Sequence, residues 1–238
     1  MLEGVKVLKN WEQIGEAILF LSEGGHRSHP NPIKNWDLRL IREFFGDLGR
    51  DELVVDLGAS PLAGVRLCHE MGFRKVIGYD LKFSIFDRVL QLRDWIGLKS
   101  RLPCPRPTLV PYRLRTRDLM RNGLPNGCAG GVICLSVIEH GVDVERFFPE
   151  VARILRPGGR LYVSTDYWDP KLDTGNRRMF GQPWTIFASK EIVAMIEAAE
   201  KVGLTVNGWG QEDLLCENAP VRDHSHTYTF IAVLFRKS

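Results

Sequence analysis

The stretch from Leu53 to Asp80 constrains the fold of this chain most strongly, because it joins an apolar run, a turn, an amphipathic segment and a second apolar run. The first run closes at Asp56 and is typical of a buried parallel strand. Gly58 then permits a backbone turn that a side chain would obstruct. The stretch therefore predicts a strand–helix–strand unit whose ligand-facing turn lies at the carboxyl end of the first strand.

The helix of this unit has a start and a stop in the sequence. Ser60 is a favourable N-cap, and Pro61 suits the first helical position, where its missing N–H costs nothing. Leu62 and Val65 begin an apolar series at helical spacing, and Gly72 ends it. We therefore predict a short helix that Ser60 caps.

The acidic residue at the end of the second strand has a specific use in such units. The carboxylate of Asp80 can accept hydrogen bonds from both hydroxyls of a ribose, while the rest of the ligand lies over the first turn. With Asp56 before the turn and Asp80 behind it, the pattern favours a nucleotide-type ligand. It does not by itself choose the cofactor.

Length and composition argue against several other classes of protein. At 238 residues the chain suits one α/β domain, and its net charge of +3 is too small to require a nucleic-acid partner. The five cysteines form no CxxC pair, so we expect a reducing cytoplasm rather than disulfides. The sequence has no eighteen-residue apolar run and no signal-peptide core at its start. We expect a cytoplasmic protein with no membrane partner.

Residues 1–50 have helical spacing. Trp11, Ile14 and Ile18 share one face of a first helix, and a polar loop separates it from a second. We predict an N-terminal helical segment that packs on or caps residues 51–238. The two parts would form a single structural domain.

The rest of the chain repeats the strand–helix alternation. Residues 131–136 predict a buried strand, residues 144–155 a helix and residues 160–165 a further strand. Residues 204–209 and 228–235 predict two closing strands. This order is typical of a doubly wound, mostly parallel sheet with an antiparallel end.

A basic stretch runs through residues 99–121 and contains Asp118 as its single acid. It is either a solvated edge or a surface for an anionic substrate, such as a phosphorylated or nucleotide-linked molecule. Both interpretations stay open at this point.

Five segments resemble those of the class I S-adenosylmethionine-dependent methyltransferases, over roughly residues 53–235. They are VVDLGAS up to Ser60, GYD up to Asp80, RDL at 117–119, SVIEH at 136–140 and EVARILRPGG at 150–159. The last segment, together with SVIEH, is similar to the branch that modifies small molecules. The resemblance implies a seven-stranded Rossmann-like sheet and methyl transfer to a small acceptor.

The resemblance also implies S-adenosyl-L-methionine as the cofactor and S-adenosyl-L-homocysteine as the product. The turn would hold the methionine end, Asp80 the ribose hydroxyls and Asp118 the adenine amino group. Ser60 and Leu62 stand where the family usually has glycine, so we expect a slightly altered turn. The implied cofactor contacts are Asp56, Gly58, Ala59, Ser60, Asp80, Leu81, Asp118, Leu119 and Ser136.

Methyl transfer needs alignment of nucleophile, methyl carbon and sulfur, and a hydroxyl nucleophile also needs a base. His140 is the first candidate, because a neutral imidazole is available near pH 7 and the residue closes a strand facing the cleft. Asp166, at the end of the next strand, is the second. The long aromatic loop that follows supplies candidate substrate contacts, namely Tyr167, Trp168 and Trp184.

Pairs of loop histidines, His26 with His29 and His224 with His226, are not diagnostic of a metal site, and we expect no metal. The favoured function is a small-molecule methyltransferase, most simply acting on oxygen, with an acceptor that carries negative charge as one option. Two alternatives stay open. One is an RNA or protein methyltransferase that uses the basic 99–121 edge, and the other is a non-catalytic cofactor-binding protein of the same fold. The sequence does not indicate an oligomeric state.

Overall fold

The structure is a computed structural model, and it describes residues 2–95, 112–223 and 226–238. Residues 99–111 of the basic stretch therefore lie outside the described part. In chain order the elements are β1 (Gly4–Val7), α1 (Trp11–Glu23), α2 (Lys34–Phe44), β2 (Leu53–Leu57), α3 (Ala63–Glu70), β3 (Lys75–Asp80), α4 (Ile85–Trp95), β4 (Arg113–Thr116), β5 (Ala129–Leu135), α5 (Val144–Ile154), β6 (Leu155–Tyr167), β7 (Arg178–Met179), β8 (Gln182–Pro183), α6 (Ser189–Glu200), β9 (Leu204–Thr205), β10 (Val221–Asp223) and β11 (His226–Lys237).

The central sheet has the order β1-β11-β6-β5-β2-β3-β4, and β9 and β10 also pair with β11. The five consecutive strands β6, β5, β2, β3 and β4 are parallel to one another. β11 runs antiparallel to β6 and to β1. The predicted doubly wound α/β fold with an antiparallel end is confirmed.

Helices cover both faces of this sheet. Apolar side chains of α1, α2 and α3 pack with Val54, Ile133 and Tyr162 on one face. Those of α5 and α6 pack with Val55 and Val163 on the other. Consecutive β-strand residues point to opposite faces, so neighbours such as Val54 and Val55 belong to different cores.

The wholly helical prediction for residues 1–50 is wrong at Gly4–Val7, which forms a strand paired with Ile231 to Leu234 of β11. Val5 and Val7 are buried in this pairing, and the strand covers an edge of β11 that would otherwise be open. The sheet thus has nine strands rather than seven, because β1 and β10 add to those expected from the sequence.

The parallel arrangement positions the functional site. The carboxyl ends of β2, β5 and β6 meet at one edge of the sheet, where ligands of doubly wound folds bind. β6 is longer than predicted, so Asp166 lies within the strand and not in the loop after it. The small hairpin formed by β7 and β8 follows at the same edge.

Candidate active site

A cavity of about 450 Å³ opens at this edge of the sheet. One end lies over the turn after β2, and the other is walled by the loop before α2, the hairpin of β7 and β8, and β11. Its lining comprises His29, Asn31, Ile33, Lys34, Asp56, Gly58, Ala59, Ser60, Pro61, Ala63, Gly64, Leu135, Ser136, Glu139, His140, Asp166, Met179, Phe180, Val221, Arg222, Tyr228 and Phe230.

Gly58 makes the turn at the cofactor end possible. Its φ is +87°, and a Cβ built there would lie 2.2 Å from Cγ2 of Val137. The N–H groups of Gly58 and Ala59 both donate to the carbonyl of Tyr79, at 2.8 and 2.9 Å, so the turn is fixed to β3. Any side chain at position 58 would meet both a steric clash and an unfavourable backbone region.

Ser60 does not cap the helix that follows, so that prediction is wrong. α3 begins only at Ala63, after Leu62 at a φ of +74°. Two carboxylates bind Ser60 instead. The N–H of Ser60 donates to Oδ2 of Asp80 at 3.1 Å, and its hydroxyl donates to Oδ2 of Asp87 at 3.1 Å.

Asp56 lies buried behind the turn. Its Oδ2 accepts a hydrogen bond from the N–H of Val65 at 3.0 Å, and a Cβ at Gly64 would approach the same oxygen to 2.5 Å. Burial, reinforced by the nearby charge of Asp80, raises the pKa of Asp56 to about 7. Through its hydrogen bond to Val65 and its close approach to Gly64, this carboxyl positions the start of α3 against the turn.

The remaining predicted cofactor contacts flank the cavity without being part of its wall. Asp80 also accepts from the N–H of Lys82 at 3.1 Å, and Leu81 is exposed beside it. The N–H of Arg117 donates to the carbonyl of Asp80 at 2.9 Å, which holds the Asp118–Leu119 segment next to β3. The carboxylate of Asp118 caps a short 3₁₀ turn by accepting from Met120.

Ser136 and Lys34 meet near the middle of the cavity. Ser136 follows β5 with a φ of +52°, and its N–H donates to the carbonyl of Ser164 at 3.0 Å. The Nζ of Lys34 donates to its hydroxyl and lies 3.9 Å from the ring centroid of Phe230. Sequence reasoning missed Lys34, because it follows a polar stretch at the first residue of α2 and is 102 residues from its partner.

Three buried acids surround this lysine. Glu139 accepts a hydrogen bond from the Thr165 hydroxyl at 3.1 Å, and Asp166 accepts from the Trp184 indole at 2.7 Å. Burial raises the pKa of Asp166 to about 6, although the charge of Lys34 opposes the shift. Burial also raises the pKa of Glu139 and of Asp37, again against the influence of Lys34.

His140 ends the 3₁₀ turn that follows β5. Its ring meets the ring of Phe180 edge-on, with 5.4 Å between centroids. Burial and then the charge of Lys34 lower the pKa of His140, while a hydrogen bond with the backbone of Pro183 acts in the opposite direction. The imidazole is therefore neutral at pH 7 and can accept a proton.

The three aromatic residues predicted to contact substrate do not line the cavity. Tyr167 is buried, and its hydroxyl donates to the carbonyl of Leu214 at 2.6 Å. Trp168 is half-buried, and Trp184 reaches the cavity only through its bond to Asp166. The aromatic and apolar wall comes instead from Met179, Phe180, Tyr228 and Phe230.

Two further features concern the described residues only. None of their His, Cys, Asp and Glu side chains form a group of three or more that could hold a metal ion. Among the helices that the structure describes, none is both long and apolar enough to cross a membrane.

The fold and the glycine turn beneath the cavity define an α/β protein that binds a nucleotide-type cofactor. Residues 55–163, which span β2 to β6, match the family model described as a methyltransferase domain. The sequence matches no curated protein. The matched stretch is just under half of the chain, and over it the chain is similar to the methyltransferase-domain family, which supports the resemblance to the class I S-adenosylmethionine-dependent methyltransferases.

Solved structures of this fold cover nearly the whole chain at low sequence identity. One is the 1,6-didemethyltoxoflavin-N1-methyltransferase of Burkholderia thailandensis, solved with 1,6-didemethyltoxoflavin and S-adenosylhomocysteine, with 16% identity, a TM-score of 0.56 and coverage of 97% of this chain and 92% of that one. The geranyl diphosphate C-methyltransferase of Streptomyces coelicolor has 14% identity and a TM-score of 0.59, with coverage of 100% of this chain and 91% of that one. The [4+2]-cyclase SpnF has 14% identity and a TM-score of 0.58, with coverage of 99% of this chain and 98% of that one. At such identities the likeness concerns the fold.

Proposed function

We propose that this protein transfers a methyl group from S-adenosyl-L-methionine to an oxygen nucleophile of a small acceptor. The observation that carries the proposal is the continuity of one cavity from the Gly58 turn to His140 and Lys34. The cofactor would supply a methyl carbon activated by its sulfonium. The chain's own residues then have to bind, orient and deprotonate the acceptor.

The cofactor end of the cavity suits this molecule. The turn at Gly58 leaves the space that a Cβ would fill, and Asp80 presents a carboxylate whose present partners are two backbone N–H groups. Asp80 would accept the ribose hydroxyls, and the backbone of Gly58, Ala59 and Ser60 would line the methionine part. Asp118 and Leu119 would lie on the adenine side.

In the acceptor half, His140 is proposed as the base that takes the proton of the acceptor hydroxyl. Its lowered pKa keeps the imidazole unprotonated at neutral pH, as a base requires. Asp166, bonded to Trp184, would orient the acceptor beside it. Lys34 supplies a positive charge in this half, which supports an acceptor that carries or develops negative charge next to the methylated oxygen.

A second function has a specific observation in its favour. The [4+2]-cyclase has a TM-score of 0.58 to this chain, which lies between the 0.56 and 0.59 of the two methyltransferases described above. A protein of this fold that binds the cofactor and catalyses a different reaction is therefore the runner-up. Detection of methyl transfer separates the two.

The cofactor part is tested by titrating S-adenosyl-L-homocysteine into the protein in a calorimeter. Asp80→Ala should weaken binding about 10- to 100-fold, because hydrogen bonds to a charged group contribute roughly 1.5–3 kcal/mol. The control is Asp51→Ala, which removes an exposed carboxylate that pairs only with Arg74 among the described contacts. Unchanged affinity in Asp80→Ala would exclude the assigned ribose contact.

The transferase part is tested by incubating the protein with S-adenosylmethionine labelled in its methyl group and a panel of small phenols, hydroxy acids and amines. Label in a hydroxyl-bearing acceptor supports the proposal. Label only on nitrogen or carbon would overturn the oxygen assignment. Tight cofactor binding without label transfer to the panel or to a cell extract would favour the runner-up.

A further inference from the structure

α4 is oriented with its carboxylates inward and its apolar side chains outward. Asp87 and Asp94 are only 1% and 9% exposed, whereas Ile85 is 85% exposed and Leu92 is 50% exposed. The described part of the chain has ten exposed large hydrophobic residues, and six of them lie between residues 81 and 95, five on α4 and Leu81 just before it. We call these six the α4 apolar face; they are Leu81, Ile85, Phe86, Val89, Leu92 and Trp95.

Hydrogen bonds at both ends hold α4 in this orientation. Asp87 accepts from the hydroxyl of Ser60 at 3.1 Å and from the N–H and hydroxyl of Ser84, each at 2.7 Å. Rotating the helix to bury its apolar side would break these bonds and leave the carboxylates without partners. The orientation is therefore built into the packing.

The C-terminal end is anchored more strongly than the N-terminal end. Asp94 accepts from Arg66 Nε at 2.8 Å, from the Tyr112 hydroxyl at 2.9 Å and from Arg27 at 3.1 Å. These partners come from α3, from the residue before β4 and from the loop after α1. Three separate parts of the chain thus fix the outward stripe.

The stripe is continuous, because Ile85, Val89 and Leu92 recur at helical spacing and Phe86 and Trp95 flank them. Soluble proteins place such a stripe against their core. A contiguous exposed patch with polar surroundings instead marks an interaction surface.

The exposed charges within residues 81–95 have one sign. Lys82, Arg88 and Arg93 are exposed, and the two acids between Leu81 and Trp95 are both buried. The surface is thus apolar at its centre and basic at its margin. That combination, with a tryptophan at the end of the stripe, is characteristic of helices that lie in the headgroup region of an anionic membrane.

We propose that the α4 apolar face docks the protein on an anionic lipid surface. A symmetric dimer through the same face would bring two basic margins together, and like charges would oppose it. A nucleic acid would engage the arginines but would leave Ile85, Val89 and Leu92 in water. The lipid surface is the partner that satisfies both the apolar stripe and its basic margin. This surface was not expected from the sequence, which predicted no membrane partner.

The proposal does not depend on the methyl acceptor. It is tested with full-length protein and vesicles of phosphatidylcholine, either alone or mixed with phosphatidylglycerol, by co-sedimentation. Binding to the anionic vesicles should exceed binding to the neutral ones and should fall at about 0.5 M salt, where exposed charges are screened. Brominated lipid should quench the fluorescence of the wild-type protein, and Trp95→Phe should lose part of that quenching.

The double variant Ile85→Gln, Phe86→Gln should lose at least about tenfold in vesicle affinity, since each buried side chain contributes more than 1 kcal/mol. The matched control is Leu19→Gln, which replaces an exposed leucine on α1. Circular dichroism and thermal unfolding establish that both variants are folded.

The proposal is overturned if the wild type does not sediment with anionic vesicles, or if the double variant sediments equally well. It is also overturned if light scattering shows a dimer that the double variant abolishes and no vesicle binding is seen. Binding to a single-stranded oligonucleotide in place of vesicles would overturn it too. Cover from residues 96–111 would appear as Trp95 fluorescence shielded from aqueous quencher, with no vesicle binding. That result would overturn it as well.

Discussion

The two ends of the cavity are built in different ways. The turn at the cofactor end uses residues from one continuous stretch, β2 to β3, and is fixed by backbone hydrogen bonds such as those of Gly58 and Ala59 to Tyr79. The acceptor end gathers side chains from α2, the turn after β5, β6 and β11. The turn is local in sequence, whereas the acceptor end depends on long-range packing. We expect mutations at the first to affect binding of the cofactor and stability, and those at the second to affect turnover.

The largest effect should come from His140. His140→Ala should lower turnover by about 100-fold or more, which is the usual contribution of a general base. The affinity for S-adenosyl-L-homocysteine should stay within about twofold of that of the wild type, because the residue lies in the acceptor half. Once an acceptor is known, turnover and calorimetry measure the two quantities. Equal turnover in the variant would remove His140 as the base.

The next effect contrasts two glycines at almost the same backbone angle. Gly58 has a φ of +87° with Val137 in its way, and Gly72 has a φ of +89° with nothing within 4 Å. Gly72→Ala should therefore cost roughly 1–2 kcal/mol for the conformation alone. Gly58→Ala should cost about 1–3 kcal/mol more for the steric clash.

Urea unfolding measures both glycine variants. Val137→Ala added to Gly58→Ala should recover part of the difference, because it removes the methyl groups that the new Cβ meets. Equal destabilisation at positions 58 and 72 would contradict the idea that the cofactor turn is packed so tightly.

The smallest effect concerns Lys34. Lys34→Met should reduce turnover only a few-fold, in line with a net hydrogen-bond contribution of about 0.5–1.5 kcal/mol. Its pH dependence is more informative. Lys34 lowers the pKa of both His140 and Asp166, so its removal raises both.

If His140 must be unprotonated to act, the acid limb of the turnover profile should move to higher pH in Lys34→Met. Activity is then lost first on the acidic side of neutrality and regained as the pH rises. A limb that stays in place, or moves to lower pH, would show that Lys34 does not face the base. Lys9→Met, which changes an exposed lysine near the start of α1, is the control.

The contrast between the local cofactor turn and the long-range acceptor end also explains which features could be predicted from the sequence. The β2–α3–β3 unit, β11 and the parallel sheet follow from short-range patterns, and the structure confirms them. The helix cap at Ser60 was wrong, because α3 begins only at Ala63, and Ser60 is bonded instead to Asp80 and Asp87, which lie 20 and 27 residues away. β1 was missed, because four residues carry little periodicity and the strand exists only by pairing with β11.

The acceptor end was predicted least well. His140 and Asp166 could be placed at strand ends, since the fold dictates where those ends meet. Lys34 could not be distinguished from other lysines, because its role depends on a partner beyond β5. Tyr167, Trp168 and Trp184 lie in the same aromatic stretch of sequence as Phe180, yet only the burial pattern of the folded chain separates the structural aromatics from the cavity wall.

The hairpin of β7 and β8 has a consequence for how this enzyme could acquire new acceptors. Its ladder is two residues long, and its tip carries Phe180, which is 87% exposed yet contacts His140. None of its four strand residues pairs with the central sheet. Selection, or a library confined to residues 178–183, could therefore change the wall beside His140 while the turn after β2 and the folding core keep their sequence. The acceptor range is the part of this protein that can evolve at least cost to stability.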